Sequence, residues 1–169
     1  MVLRQDAQGA PIRFVDGVVL ETKKAGKKER KSLRVTDDDA RRVREIYDMA
    51  DELRKRHHVN VIGVEAYMPF GKNASGWKAG GIYYGFMMAG RAWGIPVLPF
   101  VPQDLKRAFH KKQNVSKAAI GDTLAGKVNG LGEFVATLAK GKREHVTDAA
   151  GHAYLAIVEA YNLRQMMGV

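Results

Sequence analysis

Apolar positions change their period along this chain, and each change marks an element. Met1-Val2-Leu3-Arg4 reads as a strand, Gln8-Gly9-Ala10-Pro11 as a turn, and the Val-rich run from Ile12 to Thr22 as a second strand, together a hairpin. Thr36 followed by Asp37, Asp38 and Asp39 predicts a helix start, because a hydroxyl can cap free amides and acids favour the positive end of the dipole. That helix should run to about Arg56, burying Ala40, Val43, Ile46, Tyr47, Ala50 and Leu53. A buried strand from Val59 to Val64 ends in Glu65. From Trp77 to Trp93 apolar residues recur almost all round, including Ile82, Tyr83, Phe86, Met87 and Met88, so this helix is buried or lies in a dimer interface. Ile95 to Val101 is again a buried strand, and strand, helix and strand make one parallel crossover of an α/β fold. Pro102-Gln103-Asp104 opens a short helix ending in Phe109 to Lys112, and Asn114 or Ser116 caps another. Gly121, Gly126, Gly130 and Gly132 break the next stretch into pieces, until Thr147 caps a long helix beginning near Asp148, with Ala150, Ala153, Tyr154, Ile157 and Tyr161 on one face.

The 169 residues fit one domain, 1–169, with a full hydrophobic core. Lys and Arg number 28 against 18 Asp and Glu, a net charge of +10, which favours a polyanionic partner: most simply nucleic acid, less simply an acidic membrane surface. The basic tract Lys23 to Arg34, with seven basic residues and one acid, Glu29, reads as a solvated loop or a phosphate contact. No run reaches the length of a spanning helix and the first residues form no signal-peptide core, so a cytoplasmic protein, neither secreted nor inserted in a membrane, is expected. With no cysteine, disulfides and thiolate metal sites are excluded.

Two places carry candidate chemistry. Glu65 stands where an apolar strand runs out, and in open α/β sheets ligands gather at the carboxyl ends of strands. It is either the first solvated residue after the strand or, with a cation to compensate it, a metal ligand. His145, Asp148 and His152 cluster at the start of the last helix, where Asp148 and His152, four apart, share a face. Asp148 either compensates the helix dipole or, helped by His145 or His152, meets Glu65 across the sheet to hold a divalent metal.

Three segments, in this order and at these separations, resemble the RuvC-type Holliday-junction resolvases of the ribonuclease H-like superfamily. Val64-Glu65-Ala66-Tyr67 with Phe70-Gly71-Lys72-Asn73-Ala74 is similar to that family's second acidic motif and the loop after it. Lys106 to Lys117 resembles its basic DNA-binding stretch, and His145-Val146-Thr147-Asp148-Ala149-Ala150 its C-terminal acidic helix, so the likeness runs from Met1 to about Leu163. The resemblance implies a ribonuclease H-like mixed sheet flanked by helices, and metal-dependent hydrolysis of four-way DNA junctions by a homodimer. It makes Glu65 and Asp148 ligands of Mg²⁺, with Mn²⁺ a possible substitute, and His145 the replacement for a further acid, His152 being the alternative. It places Phe70, or Met68 in a shifted register, as a wedge at the branch point, and Lys72, Arg107, Lys111, Lys112 and Lys117 on phosphates.

The sequence departs from the family pattern at one point. The family's sheet opens with a strand carrying a first catalytic Asp followed by Gly, whereas Met1 to Gln5 and Ile12 to Thr22 match its second and third strands. Neither Asp6 nor Asp16 fits the missing acid. Two expectations arise: a true start upstream that restores the strand, or a protein that has lost a ligand and binds junctions without cutting them efficiently. A basic RNA-binding module is less favoured, since no aromatic-rich strand for stacking bases is present.

Overall fold

A computed structural model describes residues 1–26, 34–67, 76–110 and 115–167. A hairpin comes first, β1 (Val2–Arg4) antiparallel to β2 (Ile12–Asp16). Helix α1 (Val35–His57) leads to β3 (Ile62–Glu65), α2 (Gly76–Trp93) and β4 (Val97–Phe100), with β3 and β4 parallel in the register Glu65 to Phe100, the crossover the pattern predicts. Then come α3 (Pro102–Phe109), α4 (Lys117–Lys127), β5 (Val128–Asn129), α5 (Leu131–Thr137) and α6 (Lys140–Met167). Short β5 runs parallel to β2. The strands form two pieces, β1-β2-β5 and β3-β4, and no described strand joins β1 to β3.

The core explains the order of the last elements. Leu105 and Phe109 of α3, Ile120 and Leu124 of α4, Val128, Leu131 and Ala150 bury one another over Ile12 of β2. Helix α6 packs across both strand pieces, touching β3 and β1. It can approach β3 because Gly63 has no Cβ: one there would lie 2.7 Å from the carbonyl carbon of His152, and closer to its oxygen. On α2, Tyr47 of α1 donates its hydroxyl to the carbonyl of Ile82 (2.6 Å) and tilts its ring on Phe86 (centroids 4.9 Å apart), while Tyr84 and Met88 face outward at 61% and 68% exposure. Among the described residues no helix is long and apolar enough to cross a membrane.

Three boundaries differ from expectation. Helix α6 begins at Lys140, so Thr147 lies two turns inside it and caps nothing, and Asp148 is interior and not on a first turn. Residues 140–145 are polar but for Gly141 and solvated, and a helical stretch with no apolar stripe leaves no periodic trace. Strand β2 ends at Asp16 and does not extend to Thr22, since the Asp16 carboxylate turns back to accept the Gly17 N–H (2.7 Å) and bonds the His57 imidazole (2.7 Å). Helix α1 starts one residue before Thr36, with Arg34 as N-cap and no side-chain cap bond. At α4 the expected cap is present: Ser116 Oγ accepts the Ala119 N–H (3.2 Å).

Candidate active-site cleft

Between β1 and β3 lies a cleft of about 1720 Å³. One long wall is β1 and the turn after it, the other is Val59 to Tyr67; α6 closes one side, and α1 and α2 the opposite side. Glu65, His145, Asp148 and His152 all line it. Their convergence comes from local folding: Glu65 is exposed because β3 ends there, while the turns of α6 that cross β3 bring Asp148 and His152 to the same strand end.

Each side chain has a distinct environment. His152 is 5% exposed, lies parallel to the Phe100 ring (centroids 6.4 Å apart), and its Nε2 is buried with no hydrogen-bond partner among the described residues. Burial lowers its pKa below the ordinary 6.5, and the negative charges of Glu65, Asp148 and Asp104 oppose that shift. The imidazole is thereby biased to its neutral form. Asp148 is half-buried and holds Lys117 at 3.1 Å; the same ammonium reaches Glu144 at 2.5 Å. His145 is exposed. Among the described residues, no three of His, Asp and Glu gather closely enough to hold a metal ion.

The expected DNA-contacting residues divide. Arg107 is exposed on α3 with Asp104 at 4.0 Å, leaving its guanidinium open to an outside anion. Lys117 is exposed but its ammonium is shared between Glu144 and Asp148. Phe70, its alternative Met68, Lys72, Lys111 and Lys112 lie outside the described residues.

Several residues around the cleft were not anticipated from the sequence. Asp104 accepts the Val101 N–H (2.8 Å), so it both starts α3 and adds charge near His152. Its position at the third residue of a helix opened by Pro102 was the available signal. Asp16 is held by His57 and Arg56 (3.4 Å) of α1, and the His57 hydrogen bond above all keeps its carboxyl below the usual carboxylate range. His57 thus ties β2 to α1, and nothing local in the sequence pairs residues so far apart.

No protein-family model matches the sequence, and no curated protein does. Among solved structures, that of RuvC from Thermus thermophilus is similar, with a TM-score of 0.64 and 18% identity over 99% of this chain and 86% of that one. At that identity the likeness is one of fold, and it shows the mixed α/β, ribonuclease H-like architecture that the resemblance implied.

Proposed function

We propose that this RuvC-like fold serves a metal-dependent endonuclease that resolves four-way DNA junctions. One observation carries the reading: Glu65 at the carboxyl end of β3 lines a single cleft together with Asp148, His145 and His152 of α6. The +10 charge of the chain supports a polyanionic partner. The donors fit a divalent ion in kind, since carboxylate oxygens suit Mg²⁺ or Mn²⁺. Glu65 and Asp148 would hold the ion, with His145 on the exposed side. Bound there, Mg²⁺ would activate water and stabilise the leaving oxygen. The chain's own contribution is orientation: Gly63 lets α6 seat against β3, and His152, buried and biased to the neutral form, adds no positive charge behind the carboxylates. Arg107, Lys72, Lys111, Lys112 and Lys117 would take phosphates, Phe70 or Met68 would wedge at the branch point, and a homodimer would present one site to each of two opposed strands. A cytoplasmic location fits a DNA substrate.

A second reading, binding of branched DNA without cleavage, is favoured by the lack of a three-ligand cluster among the described residues and by the Lys117 ammonium on Asp148. A synthetic four-way junction with Mg²⁺ or Mn²⁺ separates the two. Cleavage that is lost in Glu65→Gln while junction affinity holds or rises supports the nuclease. Tight, junction-selective binding with no cutting in either ion supports the second reading, and cutting that survives Glu65→Gln places the chemistry elsewhere.

A further inference from the structure

Lys117, the first residue of α4, reaches two carboxylates of α6. Its ammonium lies 2.5 Å from Glu144 and 3.1 Å from Asp148. The two acids are four apart on one helix, so they stand one above the other on a single face. Of the three side chains only Asp148 lines the cleft, and it is the least exposed, at 28% against 55% for Glu144 and 60% for Lys117. The backbones that carry them are fixed. Ile120 and Leu124 of α4 pack with Ala150 of α6 in the core, and a Cβ on Gly121 would stand 3.2 Å from the Thr147 methyl, so the two helices are already close at this level. Only the flexible four-carbon stem of Lys117 is free to carry the ammonium from one acid to the other.

If Asp148 holds a divalent ion, that ion and the Lys117 ammonium are two cations on one carboxylate, and their mutual repulsion opposes joint occupancy. The lysine must then give way. An ammonium carries three donors in no fixed fork, so it can pass from two acceptors to one without strain, and Glu144 is already in contact with it. Without Glu144 the same lysine would bond Asp148 alone, compete for it fully, and be released to solvent when displaced. We propose that Glu144 is a positioning residue of this site: it takes over the Lys117 ammonium when a divalent ion claims Asp148, so that the lysine yields the carboxylate and yet remains beside it. The inference rests on the reading of Asp148 as a metal ligand and adds to it how the ligand is freed. It also gives Lys117 a waiting place from which to meet a phosphate, since an exposed ion pair is weak enough for a second anion to contest.

The test titrates the full chain, isotopically labelled, with Mg²⁺ alone, while nuclear magnetic resonance follows the side-chain carboxyl carbon of Asp148 and the ammonium of Lys117 in one sample. Saturable movement of the Asp148 signal, with the Lys117 ammonium still held and slow to exchange its protons at saturation, is the expected result. In Glu144→Gln, whose fold circular dichroism confirms, Mg²⁺ should bind about two- to fivefold more weakly and should free the ammonium to fast exchange as it binds. Glu144→Asp, which keeps a carboxylate, should recover part of both effects. Repeating the comparison in about 1 M KCl, where charges are screened beyond about 3 Å, removes the plain attraction of Glu144 for the ion and should leave the release of Lys117 confined to Glu144→Gln. Release of the ammonium in the wild-type chain, or a Glu144→Gln protein that matches wild type in affinity and in the state of Lys117, would overturn the inference and leave Asp148 as a ligand. An Asp148 signal that Mg²⁺ does not move would overturn the metal reading itself, and this inference with it.

Discussion

Gly63→Ala is the sharpest perturbation of the way α6 meets β3. The new methyl would stand 2.7 Å from the carbonyl carbon of His152 and 3.1 Å from the Ala156 Cβ, with the His152 carbonyl oxygen nearer still. The obstruction is backbone, which cannot rotate aside as a side-chain tip could. Overpacking of this kind costs about 1–3 kcal/mol. Replacing Gly by Ala also restricts the unfolded chain, which returns about 0.4–1 kcal/mol. A net destabilisation of about 1–2 kcal/mol is expected, and for a chain of this size that lowers Tm by about 2–8 °C. Differential scanning fluorimetry of the purified variant reads it directly. Ala156→Gly in the same molecule should restore only the smaller part, because it relieves the methyl contact and leaves the carbonyl in place. A wild-type Tm for Gly63→Ala, or full rescue by Ala156→Gly, would refute the packing of α6 on β3, and with it the meeting of Glu65 with Asp148 and His152.

The same geometry sets three further outcomes. Asp16 has its folded-state pKa depressed below 3.8, so its contribution is present above that pH and is lost as pH falls through the folded value; Asp16→Asn should cost about 1 kcal/mol at pH 7 in urea titrations, and the gap to wild type should close as the pH is lowered through that depressed value. Arg107→Ala should flatten the slope of log affinity for a DNA junction against log salt by about one unit, and an unchanged slope removes Arg107 from the interface. Sedimentation should show a dimer at micromolar concentration that Met88→Glu dissociates, because α2 carries Tyr84 and Met88 on its outer face; a wild-type monomer would place no interface there.

Burial writes itself into periodicity, and the parts of the fold that were legible in the sequence are those where it does. The β3-α2-β4 crossover and α1 each carry an apolar pattern of their own period, and both stand where the pattern placed them. Ser116 announced α4 because a cap is a local bond between neighbours. The first two turns of α6 were invisible for the converse reason: polar residues on a solvated turn satisfy no period. Strand β5, two residues long, is made by its partner and not by its own composition. Glu65 was singled out as a candidate from the end of its strand and Asp148 and His152 from their helical spacing, whereas Lys117 on Asp148 and His57 on Asp16 join residues 31 and 41 apart in the chain. Ion pairs between distant segments have no sequence signature. The division of the strands into two pieces was foreshadowed only by the resemblance.

The pairing of β2 with β5 bears on how the molecule is made. Ile12 sits opposite Val128, so this rung closes a loop of more than a hundred residues, and the helix that spans both strand pieces is the last element of the chain. Neither contact can form during synthesis until Val128, for the rung, and α6, for the helix, have left the ribosome. Until then β2 carries a bare edge beside exposed apolar side chains, the arrangement that recruits strands from other molecules. Folding should therefore be slow for a protein this rich in helix, and its yield should depend on temperature and on chaperone supply more than its final stability would suggest.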